Sequence, residues 1–413
     1  MVIKIKKEYF CSIPESGYEQ SDTNPNSAGI KVFRVLQKGG AFSVKKISRI
    51  TDISGPTVRK ILRKMQKNDL VKLKGIRDTQ TGRKPKLYML NPSVYHLIGI
   101  DLEIPDLRIG LFDLLGECVA RRVTNLPEYV KYEDDQELAS FIIEQTKQLI
   151  KNSKSGGSKI AGAGIGVPGI VSQERFNPFS RGDFNRLIEL VPALKPTLSN
   201  NLVMLNDVDS ELISSLEEHS LLKRSETIAV YFSIRSRKGE GSRNLRVGGG
   251  VWYKDNLLHA NDKSSTEFGH TSTSFFADAN VNNSGEVCCE CGNPNCFESF
   301  LNNYLSNHNL EKDNTLRTLE AAITEKVKEL TFIFNPTHFF LDLSGMGKHS
   351  PFVMDAIQDT LENEENRIFG SSPKFVKLSQ DRKEFNCSRG AAIAMLNMLL
   401  RDEKIFWNAF SKK

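Results

Sequence analysis

The positive charge of this 413-residue chain is concentrated in one segment near its N-terminus, residues 29 to 90. That segment contains 17 lysines and arginines but only three aspartates, a charge of +14. Because the whole chain has a net charge of +6, the remaining residues together carry −8. Clustered lysines and arginines are what a polyanion partner requires, so the pattern predicts a small basic module attached to an acidic body. The length exceeds that of a single core, and we expect two or three globular units.

The composition is that of an ordinary soluble protein, with 39% hydrophobic and 26% charged residues. This balance gives no general reason to expect disorder. The N-terminus lacks the apolar run of a signal peptide, and no stretch reaches the roughly 20 apolar residues of a membrane span. We therefore expect a cytoplasmic protein without a membrane partner.

Residues 28 to 92 have the pattern of a winged helix-turn-helix, preceded by an N-terminal extension of residues 1 to 27. A first helix ends at Gly39-Gly40, Ser43 caps a second helix, and Ser54 caps a third helix that has proline in its first turn. The third helix has an apolar face with i, i+3, i+4, i+7 spacing, made by Val58, Ile61, Leu62 and Met65. Such a face packs inward and leaves a basic face outside.

Two segments of alternating hydrophobicity, residues 70 to 73 and 86 to 90, predict paired strands that form the wing. Long cations on the third helix can reach phosphates and guanine edges in the major groove. A basic tip of the wing can enter a minor groove, although a solvated turn would have the same composition. The side chains that we expect to contact double-stranded DNA are Thr57, Arg59, Lys60, Arg63 and Lys64 of the helix and Arg83 and Lys84 of the tip.

From Tyr95 onward the pattern changes to alternating strands and helices, which predicts an α/β domain. Strand ends that present glycines or a carboxylate are where such folds bind ligands. The predicted strands are residues 97 to 102, 107 to 114 and 119 to 123, with a helix over residues 136 to 150. Two further strand segments follow: residues 160 to 169, which end in glycines, and residues 202 to 207, which end in a carboxylate and precede a helix.

Four of the seven cysteines, Cys288, Cys289, Cys291 and Cys296, lie within nine residues. This crowding favours a metal site over a disulfide framework. Three other motifs stand out in the α/β region: Gly-Val-Pro-Gly at residues 166 to 169, the Asn206-Asp207 pair, and Glu-Phe-Gly-His at residues 267 to 270.

These motifs, together with Cys289-Glu-Cys-Gly-Asn-Pro-Asn-Cys-Phe-Glu298, resemble those of the ROK family of repressors, open reading frames and sugar kinases. The resemblance is closer to its repressor branch, of the xylose-repressor and N-acetylglucosamine-repressor type. It implies a winged helix-turn-helix followed by a two-lobed, sugar-kinase-like domain of the actin-like ATPase and ribonuclease H-like class. We expect one lobe to comprise residues 95 to 206 and 385 to 413 and the other residues 207 to 384.

The resemblance also implies the ligand sites. A sugar effector would be bound by Asn206, Asp207, Glu267, His270 and Glu298. A structural Zn²⁺ would be held by His270, Cys289, Cys291 and Cys296, a sufficient tetrahedral set, with Cys288 as a substitute for the histidine. The histidine could bind zinc through one ring nitrogen and face the sugar with the other.

The family's kinases bind phosphate in glycine-rich loops, because backbone N–H groups approach phosphate only where side chains are absent. Here residues 101 to 106 read Asp-Leu-Glu-Ile-Pro-Asp, and a basic insertion at residues 235 to 246 interrupts the second loop before Gly248-Gly249-Gly250. Asp207 remains as a vestigial base, but we expect no ATP and no phosphoryl transfer. The chain would be a sugar-responsive repressor of carbohydrate genes, acting as a homodimer or dimer of dimers.

Two alternatives stay open at this point. One is an active ATP-dependent sugar kinase that carries a DNA-binding module. The other is a constitutive DNA-binding repressor that has lost sugar sensing, since two insertions border the predicted cleft.

Overall fold

The computed structural model describes residues 27–76, 85–103, 105–127, 130, 134–153, 159–172, 175–177, 188–222, 226–236, 245–259, 266–272, 289, 291–308, 312–362, 373–378 and 384–411. The predicted wing tip with Arg83 and Lys84, the insertion after His270, and Cys288 lie outside these residues.

The N-terminal unit contains three helices and a small antiparallel sheet: α1 (Ala28–Gln37), β1 (Phe42–Ser43), α2 (Val44–Thr51), α3 (Gly55–Lys67), β2 (Val71–Ile76) and β3 (Lys86–Leu90), with strand order β1-β3-β2. Ser43 accepts a hydrogen bond from the Lys46 N–H, and Ser54 from the Thr57 N–H, so both predicted caps are formed. Ile61 is only half-buried, unlike the other three residues of its predicted apolar face.

The first large sheet has the order β10-β7-β4-β5-β6. Its strands are β4 (Tyr95–Glu103), β5 (Asp106–Asp113), β6 (Cys118–Asn125), β7 (Lys159–Val167) and β10 (Leu202–Asn206). Strands β10, β7 and β4 are parallel, whereas β4, β5 and β6 are joined as an antiparallel meander. Helices α4 (Asp135–Asn152) and α5 (Leu190–Leu198) and the hairpin of β8 (Ile170–Ser172) and β9 (Arg175–Asn177) complete this part.

The second large sheet has the order β13-β12-β11-β14-β15. Its strands are β11 (Ile228–Ser236), β12 (Leu245–Tyr253), β13 (Asn256–Leu257), β14 (His338–Asp342) and β15 (Lys374–Lys377). Around it lie α7 (Phe297–Asn307), α8 (Asp313–Phe334), α9 (Ser350–Glu362) and two 3₁₀ turns, Phe268–His270 and Ser344–His349. Phe232, Phe297, Phe300 and Phe339 are fully buried in its core.

Two helices pack against each other beside the first sheet: α6 (Asp207–Glu218) and α10 (Asn386–Leu399). Their contact depends on Gly390, because a Cβ there would overlap the carbonyl group of Ser210. Gly99 and Gly164 likewise allow α10 to lie directly on β4 and β7. This close packing ties the start of α6 to the body of the first sheet.

The last helix, α11 (Glu403–Ala409), packs against the N-terminal unit. Phe33 of α1 lies 5.3 Å from Phe406 and 5.9 Å from Phe410 between ring centroids, and all three rings are fully buried. The Tyr95 hydroxyl lies within hydrogen-bonding distance of the carbonyls of Asn68 and Phe410. The core of the N-terminal unit is therefore continuous with that of the large domain. None of the described helices combines the length and apolar character that crossing a bilayer requires.

Candidate functional site

Strand β10 ends at Asn206, whose side chain caps helix α6. Its Oδ1 accepts hydrogen bonds from the N–H groups of Val208 (2.8 Å) and Asp209 (3.4 Å). Its amide nitrogen donates to the carbonyl of Gly169 at 2.9 Å, and Gly169 has a φ of +80° that ends the Gly-Val-Pro-Gly turn. Asn206 thus joins that turn to α6 and fixes the position of the next residue.

Asp207 is the first residue of α6 and is half-buried. Its Oδ1 accepts a hydrogen bond from the Val208 N–H at 2.9 Å. Burial raises the pKa of the Asp207 carboxyl, and the charge of Arg235 partly opposes this rise. Asp207 therefore presents a carboxylate at the N-terminus of α6, and such a group can accept hydrogen bonds from two hydroxyls.

The predicted metal ligands come together. One ligand atom from each of His270, Cys289, Cys291 and Cys296 lies within 4.8 Å of the others. The Sγ atoms of Cys291 and Cys296 are 3.7 Å apart, and the Sγ of Cys289 is 3.3 Å from the Nδ1 of His270. Tetrahedral zinc with Zn–S bonds of about 2.3 Å and Zn–N bonds of about 2.0–2.1 Å requires separations of roughly 3.5–3.8 Å between such atoms. The geometry therefore fits a divalent ion of this kind.

The electrostatics of the thiols also suit a cation. Hydrogen bonds, first from Cys289 and then from His270, lower the pKa of the Cys296 thiol to about 3. The same hydrogen bond, together with burial, raises the pKa of Cys289. Cys296 also accepts a hydrogen bond from the Ser299 N–H at 3.3 Å, as the N-cap of α7. These residues could hold a metal ion.

His270 faces the sulfur atoms with one ring nitrogen and Glu267 with the other. Its Nε2 lies 3.6 Å from the Oε2 of Glu267. Burial raises the pKa of the Glu267 carboxyl to about 7; the nearby His270 lowers it, while the charges of Asp207 and Glu298 raise it. The carboxylate of Glu267 therefore lies between the metal cluster and the start of α6.

Glu298 lies in the first turn of α7 and its side chain is only 3% exposed. Its Oε2 accepts a hydrogen bond from the Val247 N–H at 2.8 Å, and its Oε1 lies 3.6 Å from Arg246 and 3.4 Å from the Cys289 sulfur. Both oxygens therefore have protein partners. The side chain therefore connects β12 to the cysteine segment.

The predicted phosphate side of the cleft contains a buried cation that the sequence reading did not identify. Arg108 of β5 donates hydrogen bonds to Asp101 (3.0 Å), Glu103 (2.7 Å) and Asp106 (2.7 Å). Asp101 and Arg108 are directly opposite in the antiparallel β4–β5 pair. Burial raises the pKa of Asp101 to about 6 although Arg108 lowers it. The arginine neutralises part of the charge that replaces the glycines of a phosphate loop.

A second arginine, on β11, is paired with other carboxylates of the protein. Arg235 binds both carboxylate oxygens of Glu211, at 3.0 and 2.8 Å, and its Nε lies 3.9 Å from Asp342. The hydroxyl of Tyr231 donates to Glu211 at 2.8 Å. Burial raises the pKa of Glu211 to about 8, while Arg235 lowers it. Arg235, the first residue of the predicted basic insertion, therefore pairs with carboxylates of the protein itself.

Gly248-Gly249-Gly250 lies inside strand β12 rather than in a loop. A Cβ at Gly248 would overlap Val208, and a Cβ at Gly249 would overlap the ring of Phe268. Side chains of α6 and of the turn that carries His270 occupy the space over these glycines. The interrupted phosphate turn expected from the sequence is therefore a packing surface in the structure.

The predicted DNA-contacting residues of α3 lie on its exposed face: Thr57, Arg59, Lys60, Arg63 and Lys64. The helix buries Val58, Leu62 and Met65 on the other side. One of the cations has an intramolecular partner, because the Lys64 Nζ lies 3.7 Å from the ring centroid of Trp407 in α11.

Sequence reasoning missed Arg108, Arg235, Glu211 and Trp407. The alternation of β5 indicates which residues share a face, and it could have shown that Arg108 faces the same side as Asp106. No local pattern links Trp407 to Lys64, since 343 positions separate them in the chain.

A family model described as "ROK family" matches residues 97–330. The xylose repressor of Caldicellulosiruptor bescii is 24% identical over 270 residues, which is 65% of this chain and 62% of that protein. The chain thus spans less than two thirds of the length of this curated relative.

Two solved structures have a similar fold. A ROK family transcriptional regulator described as a homologue of Escherichia coli Mlc has a TM-score of 0.69 at 14% identity, over 94% of this chain and 99% of that one. A ROK hexokinase from Thermus thermophilus has a TM-score of 0.54 at 16% identity, over 74% and 99%. Both likenesses concern the fold. Since the family model covers more than half of the sequence, including Asp207 and every residue of the metal cluster, the chain belongs to the ROK family.

Proposed function

We propose that this chain is a DNA-binding transcriptional regulator whose affinity for DNA changes when a neutral sugar binds beside Asp207 and Glu267. The observation that carries the proposal is the pairing of an exposed basic helix face with a group of carboxylates beside four candidate metal ligands in one continuous structure. The xylose repressor of C. bescii and the E. coli DNA-binding transcriptional repressor Mlc are named as repressors, and E. coli NagC is named as a DNA-binding transcriptional dual regulator; these names support a regulatory role.

The N-terminal unit supports DNA binding as a winged helix-turn-helix. Helices α2 and α3 form the two-helix motif, and β2 and β3 form the strands of the wing. The exposed face of α3 would enter the major groove, with Arg59 and Arg63 reaching bases or phosphates. Contact of the wing tip, Arg83 and Lys84, with a minor groove remains part of the proposal.

The ligand site supports a polyol. Asp207 and Glu267 would accept hydrogen bonds from hydroxyls, and His270 would link the sugar to the metal cluster through its two ring nitrogens. Asn206 and Glu298 complete the predicted set, although their described contacts are with the protein backbone and neighbouring side chains. The ion that we propose is a structural Zn²⁺, because three thiolates and an imidazole form a closed set without a position for hydrolytic water.

The opposite side of the cleft argues against phosphoryl transfer. Arg108 and Arg235 are each held by at least two carboxylates, so neither cation is available to a nucleotide. The glycines of β12 are covered by Val208 and Phe268 rather than open to phosphate. The kinase alternative predicts that ATP is converted to ADP as a sugar hydroxyl becomes phosphorylated, whereas we expect no sugar phosphate above background.

A continuous path connects the two sites. Asp207 begins α6, which is packed on α10 through Gly390 and Ser210. The next helix after α10 is α11, whose Trp407 contacts Lys64. Phe406 of α11 and Phe410, directly after it, pack on Phe33 of the N-terminal unit. A sugar that favours one arrangement of α6 would thereby favour one position of α3. In a homodimer or a dimer of dimers, this movement would change the separation of two recognition helices.

The proposed division of the chain follows these elements. Residues 28–92 form the DNA-binding domain after an extension of residues 1–27. Residues 95–206 with 385–413 form one lobe, and residues 207–384 form the second lobe with the metal loop.

The test begins with a random DNA pool from which the full-length protein selects its binding sites. Fluorescence anisotropy on a selected duplex then measures affinity with and without a panel of neutral pentoses and hexoses. We expect one class of sugar to change DNA affinity, and Asp207→Asn to retain DNA binding without the sugar response. Glu218→Gln, at the far end of the same helix, is the matched control and should respond as the wild type does.

The DNA-binding face has its own test. Arg59→Ala/Arg63→Ala should weaken binding and reduce the salt dependence by about two counterions. Lys147→Ala/Lys151→Ala removes two cations with the same spacing from α4 and should change neither. Equal affinity of the two double variants would exclude α3 as the recognition helix. DNA binding that no sugar alters would favour the constitutive repressor, an alternative that the internal contacts of Glu298 also fit.

A further inference from the structure

Helix α8 carries a lysine whose side chain is 4% exposed, an unusual position for an ammonium group. The Lys326 Nζ donates a hydrogen bond to the Oγ1 of Thr271 at 2.9 Å and pairs with Glu329. It also lies 5.6 Å from the ring centroid of Phe297. No predicted ligand, DNA or metal role includes this residue.

Two of the three partners of Lys326 adjoin metal ligands from different segments. Thr271 follows His270, and Phe297 follows Cys296. These segments meet where the Phe297 N–H donates a hydrogen bond to the Thr271 carbonyl at 2.9 Å. Lys326 therefore lies at the junction of the histidine segment and the cysteine segment.

The chemistry of the ammonium group fixes the direction of a hydrogen bond. A threonine hydroxyl has one proton, and an ammonium group has donors but no acceptor. Because Lys326 donates to Thr271 Oγ1, the hydroxyl proton of Thr271 must point elsewhere, and it is directed to the Phe268 carbonyl at 2.9 Å. That hydrogen bond closes the 3₁₀ turn Phe268–His270, which presents His270 to the sulfur atoms.

The pair with Glu329 does not by itself account for this burial. The Glu329 side chain is 48% exposed, so water screens its attraction to the lysine. Burying an ammonium group is unfavourable unless other contacts offset the loss of hydration. The contacts with Thr271 and Phe297 are those other contacts.

We infer that Lys326 is a positioning residue for the metal site, which holds the histidine segment against the start of α7 and thereby slows loss of the ion. The inference rests on the proposed zinc site. Outer contacts that orient metal ligands typically change metal affinity 10–100-fold when they are removed.

The experiment uses full-length protein loaded with Zn²⁺ and a colorimetric chelator that reports the rate of zinc release. We expect Lys326→Met to release zinc about 10–100-fold faster than the wild type. Lys328→Met is the matched control, because Lys328 lies on the same helix with its side chain 27% exposed and pairs with Glu325 at 3.8 Å. It should release zinc at the wild-type rate.

A second pair of variants keeps the lysine and changes its partner. Thr271→Val removes the hydroxyl and should accelerate release as Lys326→Met does, whereas Thr271→Ser keeps the hydroxyl and should restore slow release. If residue 271 had only a structural role, the serine and valine variants would release zinc at the same rate whenever their stabilities were equal. Wild-type release rates in both Lys326→Met and Thr271→Val would overturn this inference and leave the proposed metal site unaffected. A wild-type protein without bound zinc would overturn the proposed metal site and this inference with it.

Discussion

Two groups of charged residues in the large domain are similar in residue type and differ in their electrostatic surroundings. We call the region of Asp207 and Glu267 the ligand end, after the ligand proposed for it, and the region of Arg108 and Arg235 the phosphate end, after the phosphate loops of the family's kinases. At the ligand end, Glu267 faces His270 at 3.6 Å and lies close enough to Asp207 for the two charges to influence each other. At the phosphate end, Arg108 and Arg235 bind their neighbouring carboxylates directly.

The difference teaches that a carboxylate near a strand end is not by itself a binding residue. Asp101 lies near the end of β4 and Asp207 directly follows β10. Asp101 forms an ion pair with Arg108 at 3.0 Å, whereas Arg235 acts on Asp207 through its charge and the Asp207 carboxylate accepts a hydrogen bond from the Val208 N–H. The comparison predicts that charge changes at the phosphate end reduce stability, whereas changes at the ligand end reduce ligand binding. Measurements of the free energy of unfolding on single variants can break or sharpen this contrast.

The largest expected loss concerns the metal cluster. Cys291→Ser should reduce zinc from about one ion per chain to below about 0.1, since a tetrahedral site loses one of four ligands. Stability should fall by more than about 5 kcal/mol, because structural zinc contributes about 10–16 kcal/mol of apparent binding free energy in small peptides. Metal analysis and denaturant unfolding measure the two effects. Cys118→Ser, at an exposed cysteine outside the cluster, should retain zinc, and full zinc in Cys291→Ser would contradict the ligand set.

At the phosphate end, Arg235→Met should cost about 3–5 kcal/mol, because it leaves the buried carboxylate of Glu211 without its cation. Arg175→Met is the control: Arg175 pairs with Glu189 at 2.6 Å, but its side chain is 53% exposed. An exposed pair should contribute at most about 1 kcal/mol. If urea unfolding showed that the two variants lose the same free energy of unfolding, the charges at the phosphate end would not differ from an exposed pair and the contrast would fail.

The packing surface of β12 lies between the two ends. Gly249→Ala should cost about 1–3 kcal/mol, because the added methyl group overlaps Phe268 in the turn that carries His270. Zinc release should accelerate in parallel. Gly55→Ala adds a methyl group at ordinary contact distance and should change stability by less than about 1 kcal/mol. A Gly249→Ala protein with wild-type stability and zinc release would show that the turn moves freely on β12.

The smallest change in stability is expected at the ligand end. Asp207→Asn should alter the free energy of unfolding by less than about 1 kcal/mol, since the amide keeps the volume and can still accept from the Val208 N–H. Sugar binding measured by calorimetry should nevertheless be abolished. A large destabilisation with retained sugar binding would reverse the assignment of the two ends.

Much of this protein could be predicted from local sequence. Ser43 and Ser54 cap their helices as expected, and the strands of the first sheet lie within a few residues of the predicted positions. The grouping of His270 with Cys289, Cys291 and Cys296 is also confirmed as a possible metal site. These features depend on neighbouring residues, on periodicity and on ligand spacing, all of which can be read along the chain.

The tertiary structure alone decided which partners distant side chains choose. Lys64 is predicted to contact DNA, and its contact with Trp407 of the last helix could not be read from the sequence. Gly248 and Gly249 were predicted as remnants of a phosphate loop, yet they lie within β12, where the absence of side chains lets Val208 and Phe268 pack against the strand. Lys326 reaches Thr271 across 55 positions of the chain. Sequence determines the elements and their ligand types, because these depend on short-range geometry, whereas partner choice depends on strand register and helix packing that bring remote residues within a few ångströms.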